Sequence, residues 1–534
     1  MFSESEQRFM THSRQSETEA APGPNEMGRH RFLTSATAIV LCIAAASFLA
    51  HMLTAGRYGY FRDELYYLAC ARHLASGYVD QPPMIALAAW LTVHTIGTSL
   101  QALRLLPSLA GAATIWLTAM IARELGGGRF AQSLAALSTA LAAVFAINAH
   151  LLTMNVFEPL LWMGCACVVV RIVKTGNQKL WLWFGVLAGL GLENKYSMAF
   201  FGFAIVVGLL LARERKAFRS PWIWLGGAIA LAIFLPNLIW NIQHHWPFLE
   251  LMHNIRASGR DIVRGPLAFM GDQIFMMSPL NFPIWMAGLL FLFFGHDGKR
   301  FRVLGWTFLA LLATMMILHG KDYYSAPAYP MLLAAGAVAI ENAARVRGCL
   351  KPATLLALIV GTAPLVPMMI PVLPLETYVK YQETIGLAPP AAEKSHLSSP
   401  LPQYYSDELG WQEMTLAVAQ AYDRLPFGLR SVTAIYAQNY GEAGAIDFFG
   451  PQYGLPKAIC PHQNYYLWGP RQYRGLSMII LGDTREHLEQ YFGQVIRAGS
   501  FGVPYSLERG PIWVCTQPKG WNLQQIWPKL KKWD

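Results

Sequence analysis

The sequence predicts an α-helical polytopic membrane protein with a small α/β domain after its last span, and three observations predict it. Of 534 residues, 54% are hydrophobic and only 14% are charged, whereas soluble domains carry about a quarter. The apolar residues gather into runs of bilayer length, broken by short polar turns. From about residue 375 that pattern stops, and prolines, short β-like runs and amphipathic stretches take over. Such a chain is neither a soluble enzyme nor a disordered scaffold. A basic patch interleaved with aromatics, the mark of a nucleic-acid binder, is also lacking.

Residues 1–31 are polar, with Pro22, Pro24 and several Ser and Glu, and read as a disordered tail. The apolar run from Phe32 to Leu53 exceeds a signal-peptide core of roughly 7–15 residues, so it reads as an uncleaved first span. A bilayer core of about 30 Å needs about 20 mostly apolar residues as a helix. Eleven segments qualify: 32–54, 103–123, 131–152, 156–173, 180–194, 196–212, 221–241, 281–296, 303–319, 325–344 and 353–373. Glu193-Asn194-Lys195 is placed at an interfacial turn, because each charge at mid-membrane would cost at least ~2.5 kcal/mol.

The loops then fix an orientation through the positive-inside rule. With the N-terminus in the cytoplasm, the cytoplasmic loops hold Arg123, Arg129, Arg171, Lys174, Lys179, Arg213, Arg215, Lys216 and Arg219. Further along they hold Lys299, Arg300, Arg302, Arg345, Arg347 and Lys351. The opposite face receives a long first loop (55–102), a loop at 242–280, and everything after about Leu375. The formal charge of +10 lies wholly in residues 1–374, since residues 375–534 hold 14 basic and 14 acidic side chains. The basic excess is therefore a topology signal. Residues 32–374 form the membrane domain, 375–402 a Pro- and Ser-rich linker, and 403–534 an α/β domain on the outer, periplasmic face. In that domain Ser431–Ala437 and Ser477–Leu481 read as strands, Trp411–Tyr422 and Asp483–Ile496 as helices. Cys460 and Cys515 are near enough in type and compartment to pair; Cys165 and Cys167, inside an apolar run, read as packing residues.

The outer loops carry the chemistry. The first reads Arg62-Asp63-Glu64-Leu65-Tyr66-Tyr67 and continues to Asp80-Gln81-Pro82-Pro83, two short helices along the membrane surface. Asp63 also suits a helix N-cap. Asn155 and Glu158 open the fourth span, Lys195 lies at the fifth turn, His244 and His245 follow the seventh span, and Lys321 and Tyr324 follow the ninth. Ionisable residues at a membrane boundary point to a functional site, although a snorkelling Lys is the plainer explanation of any one. Several on one face make the site the better account.

The early Asp-Glu, the Asp80-Gln81-Pro82-Pro83 turn and Lys321-Asp322-Tyr323-Tyr324-Ser325-Ala326-Pro327-Ala328-Tyr329-Pro330 resemble the family 39 glycosyltransferases. That group is similar to protein O-mannosyltransferases and lipid A aminoarabinose transferases. The resemblance runs from about Tyr58 to Pro330, with Trp240-Asn241 and His245-Trp246-Pro247 adding to it. It implies a GT-C fold and an enzyme of hexosyl or pentosyl transfer in the bacterial inner membrane. The implied donor is a polyprenyl-phosphate sugar, and the acceptor a glycan, lipid or protein hydroxyl outside the cytoplasm. Asp63 matches the first-loop acid that acts at the acceptor, Glu64 adjoins it, and Glu158 roughly matches the second acid. The aminoarabinose enzymes have Lys before the Pro pair where this chain has Gln81, so phosphate handling falls to Arg62, Lys195, Lys321 and Tyr324. Asn155, Asp80, His244 and His245 are candidate substrate contacts. So are Asn439, Tyr440 and Glu442, in a polar and aromatic series of the C-terminal domain. No cofactor is demanded by spacing; a divalent metal on Asp63, Glu64 and Glu158 is compatible with the chemistry. A transporter or flippase of lipid-linked sugars is the competing reading, but its usual internal repeat is missing.

Overall fold

The computed structural model describes residues 24–259, 264–387 and 399–534, with side chains from Ala36 onward. Each of the eleven expected segments is helical. The first helix begins at Pro24, before the expected Phe32, and runs to Thr54; the rest of the proposed tail lies outside the described residues. Among the described residues, six helices are long and apolar enough to cross a membrane, or eight if each of two bent pairs is one span. Those pairs are Arg129–Ala140 with Ala143–Ala149, bent by 65°, and Pro266–Met276 with Pro279–Phe294, bent by 97°. Met198–Leu211 has only 14 residues, about 21 Å at the α-helical rise. Eleven apolar segments are therefore not eleven full-length spans.

Helix ends follow local chemistry. Ser99 caps Leu100–Glu124 by accepting the Ala102 N–H, and Gly176 ends Met154–Thr175 at φ 69. Within the membrane part, small residues allow backbone-to-backbone packing. A Cβ on Gly288 would lie 2.0 Å from the Leu332 carbonyl oxygen, and one on Gly336 would meet Ile284. Helices Phe282–Phe294 and Tyr329–Ala343 thus touch at paired glycines.

The C-terminal unit holds a four-stranded sheet: β1 (Thr433–Tyr436), β2 (Ser477–Leu481), β3 (Phe492–Phe501) and β4 (Gly510–Pro518), in the order β1-β2-β4-β3. β1 and β2 are parallel and the other pairings antiparallel. The expected helix over 483–496 stops at Tyr491, where Phe492 begins β3. Pairing explains the switch: Phe492–Phe501 is hydrogen-bonded antiparallel to β4 along its length, although only Phe492, Val495 and Phe501 are buried. Cys460 and Cys515 are both buried free thiols. They lie in different hydrophobic clusters, Cys515 with Ala434, Met478 and Ile480, Cys460 with Ile435, Ile479 and Leu481, so opposite faces of the sheet separate them.

The start of the expected linker is a helix, Leu375–Thr384, whose Tyr378 is buried against Tyr405; Pro389, Pro390 and Ser398 lie outside the described residues. The C-terminal unit does not stand apart. Ile435, Ile479 and Ile512 of the sheet share one core with Leu65, Tyr66 and Ala69 of the first loop. Helix Tyr440–Phe449 meets helix Arg62–Ala71 through glycines: a Cβ on Gly441 would lie 2.7 Å from Arg62 Cγ, and one on Gly444 2.9 Å from the Leu65 carbonyl.

Candidate active site

The first-loop acid pair divides its labour. Phe61, Asp63 and Glu64 open helix Arg62–Ala71, and Glu64 reaches back to accept the Phe61 N–H at 2.9 Å, one of the two bonds of a capping box. The same carboxylate accepts the Leu152 N–H at 3.0 Å and pairs with Arg104 at 3.3 Å. Arg104 also pairs with Glu408 of the C-terminal unit at 2.9 Å and donates to the Ala55 and Gly59 carbonyls at 2.8 and 2.7 Å. The side chains of Arg104 and Glu64 are 0% exposed, and that of Glu408 is 1%. The Glu64 carboxylate is thus wholly engaged in internal contacts.

Asp63, one position earlier on the helix, remains half-buried. Tyr440 donates its hydroxyl to Asp63 Oδ1 at 2.8 Å. The Arg62 guanidinium lies over the Tyr440 ring at 4.7 Å, and the Arg62 N–H donates to the Asp407 carbonyl at 3.1 Å. Tyr66, whose ring is 4.7 Å from that of Tyr440, donates to Asp80 Oδ1 at 3.0 Å. Asn464 accepts the Val79 N–H at 2.6 Å and so fixes the Asp80 turn from the C-terminal unit. Arg62, Asp63, Asp80 and Tyr440 therefore form one group. Burial pushes Asp80 above the ordinary carboxylate range and Asp407 up to about 7.

A second group gathers at the neighbouring helix ends. Lys195 donates to Asn155 Oδ1 at 2.8 Å and pairs with Glu158 at 3.1 Å. Its ammonium sits 5.2 Å over the Tyr323 ring and 4.8 Å over that of Tyr324. Ser197 donates to the other Glu158 oxygen. The Lys195 side chain is 14% exposed, so this is a partly desolvated cation in an aromatic corner. Asn237 donates to the Ser76 carbonyl at 2.9 Å and accepts from Tyr196 at 3.2 Å, bridging the first loop to this group.

Other expected residues fall elsewhere. Asn439 caps helix Tyr440–Phe449 by accepting the Gly441 and Glu442 N–H groups and donates to Glu508. Glu442 accepts the Gln438 N–H at 2.7 Å and is buried. His244 stacks on Trp240 with ring centroids 4.1 Å apart, and His245 is exposed. Lys321 precedes the turn Asp322–Ala328 that carries Tyr324. Gln81 is buried and donates weakly to Cys70 Sγ at 3.8 Å. Among the described residues no three His, Cys, Asp or Glu side chains are gathered as a metal ligand set; Glu64 and Glu158 are held in separate ion pairs.

Arg104, Glu408, Ser197 and His462 were not singled out in the sequence reading. Arg104 did offer a signal, since a cation inside an apolar run needs a buried partner. A cleft of about 690 Å³ opens beside Glu408, lined among others by Tyr58, Tyr60, Trp411 and Glu413.

Residues 80–240 match the family model described as dolichyl-phosphate-mannose-protein mannosyltransferase. The chain is 28% identical over 287 residues to the lipid A galacturonosyltransferase RgtD of Rhizobium johnstonii, covering 49% of this chain and 56% of that relative. The chain thus spans little more than half the length of that relative. Its architecture is similar to that of ArnT from Cupriavidus metallidurans bound to undecaprenyl phosphate, with a TM-score of 0.59, 13% identity and coverage of 90% of this chain and 98% of that one. The apo form of the same ArnT gives the same TM-score at 14% identity. The chain thus shares the helical fold of ArnT, and its residues 80–240 carry the match to the mannosyltransferase family model.

Proposed function

We propose that the protein transfers a sugar from a polyprenyl-phosphate carrier to a hydroxyl of a lipid A-like glycolipid at the periplasmic face of the inner membrane. Asp63 takes the proton of the acceptor hydroxyl as that oxygen attacks the anomeric carbon. The bond from that carbon to the phosphate oxygen breaks, and the lipid phosphate leaves with the electron pair. Lys195, backed by Tyr324, offsets the negative charge developing on the phosphate. The observation that carries the reading is the division of the acid pair: Glu64 is spent on Arg104, while Asp63 stays half-buried among groups that orient it. The relatives support the donor class, since an ArnT of the same fold was solved with undecaprenyl phosphate. RgtD, named for lipid A, supports the acceptor class. The loop charges support a cytoplasmic N-terminus.

The test uses the full chain in nanodiscs, undecaprenyl-phosphate mannose and undecaprenyl-phosphate galacturonic acid as donors, and lipid A as acceptor. Transfer from one donor is expected, and a positioned base typically contributes ~10²–10⁴-fold, so Asp63→Asn loses activity on that scale. Failure of both donors overturns the donor class, and an active Asp63→Asn overturns the base. A reporter fused after Asp534 is expected in the periplasm; a cytoplasmic signal would overturn the orientation.

A further inference from the structure

We infer that Tyr440, contributed by the C-terminal unit, is a positioning residue that holds the Asp63 carboxylate and keeps it ionised, so that the site is complete only when the two parts of the chain are docked. This rests on Asp63 being the base. It moves Tyr440 from the substrate contact expected of the sequence to a partner of the protein's own acid.

The geometry leaves Tyr440 little freedom. It is the first residue of helix Tyr440–Phe449, which Asn439 caps. Gly441 and Gly444 bring this helix against Arg62 and Leu65 at distances that admit no Cβ. The Tyr440 ring is held on three sides: Tyr66 at 4.7 Å, His462 stacked at 5.0 Å, and the Arg62 guanidinium at 4.7 Å. What is left is the hydroxyl, 2.8 Å from Asp63 Oδ1.

The charges around Asp63 explain why the bond matters. From its own helix it faces Arg62 and Tyr67, from the Pro-pair turn Asp80, and from the C-terminal unit Asp407 and Tyr440. Wherever Asp80 or Asp407 is ionised, its charge favours protonation of Asp63, which would disable a base. The Tyr440 hydroxyl and the Arg62 cation oppose that. Burial keeps the Tyr440 phenol well above its ordinary value, so it is a donor at every working pH.

The test is Tyr440→Phe, which keeps the ring, its stacking and the cation–π contact and removes one hydrogen bond. The infrared carbonyl band of Asp63, isolated by subtracting Asp63→Asn spectra in nanodiscs, titrates about one unit higher in Tyr440→Phe, the size expected for a lost charge-assisted hydrogen bond. In the transfer assay the acid limb of the kcat profile moves by the same amount while the donor KM holds. A Tyr440→Phe protein with the wild-type titration and profile overturns the positioning role. The base reading is judged separately by Asp63→Asn: if that variant is active, the reading of Asp63 fails whatever Tyr440→Phe does. A Tyr440→Phe that raises acceptor KM with an unmoved profile would return Tyr440 to substrate contact and also overturn the inference.

Discussion

Replacing Arg104 by Met tests whether the first loop, the membrane helices and the C-terminal unit are joined through one buried cation. The guanidinium is the only basic partner within ion-pair distance of Glu64 and Glu408 among the described residues, and it also satisfies the Ala55 and Gly59 carbonyls. Removing one member of a buried pair costs about 3–5 kcal/mol, because the other charge stays behind without compensation. Here two carboxylates would be stranded, so Arg104→Met should lie at or above the upper end, a large share of a typical stability of about 5–15 kcal/mol. Glu408→Gln removes one charge while Glu64 still neutralises Arg104, and should lose about 1.5–3 kcal/mol. The double variant should be less destabilised than the sum of the two by more than ~0.5 kcal/mol, the scatter expected of independent sites. Thermal unfolding in nanodiscs, read by tryptophan fluorescence and by protease release of the C-terminal unit, gives all four corners of the cycle. Additive effects, or an Arg104→Met protein as stable as wild type, would refute the reasoning.

Three further outcomes are expected. Gly444→Ala places a Cβ 2.9 Å from the Leu65 backbone, and should loosen the C-terminal unit by about 1–3 kcal/mol; protease resistance equal to wild type would contradict this. Lys195→Met should raise the donor KM and lower kcat about tenfold or more while acceptor KM changes little, since it removes the cation beside Glu158, Asn155 and Tyr324; equal loss for donor and acceptor would assign Lys195 to structure. Asp407 is held up at about 7 by burial, so the folded state binds a proton that the unfolded chain releases near pH 4. The stability this confers is whole below pH 4 and declines as pH rises through 7, so melting should be higher at pH 5.5 than at 8, with a shallower slope in Asp407→Asn. A wild-type melting temperature that climbs between those values would overturn the assignment.

Much of the architecture was legible because period and length carry it. Membrane segments announce themselves by apolar runs, and every expected segment proved helical. Whether a segment fills the bilayer was less legible, since bends at Leu141-Ala142 and near Met277-Ser278 depend on tertiary contacts such as Ser278 donating to the Leu141 carbonyl. β3 was misread because His487 to Ile496 supports either period until the strand is paired with β4. In the site, the types and the face were readable but the partnerships were not. Asp63 and Glu64 are adjacent and chemically alike, and only Arg104, 40 residues away, separates their roles. Lys195 joins Glu158 across 37 residues and Tyr440 joins Asp63 across 377, which no local pattern encodes.

The Arg104 cation also sets an order of events during synthesis. Glu64 enters 40 residues before it and Glu408 follows 304 residues after it. While the intervening helices are made, Arg104 has one of its two carboxylate partners, and the second arrives only with the C-terminal unit. The half-built protein is thus incomplete in charge as well as in shape. For engineering, the C-terminal unit is no interchangeable cassette: a graft onto another membrane core must bring Glu408 to a waiting Arg104, or redesign both.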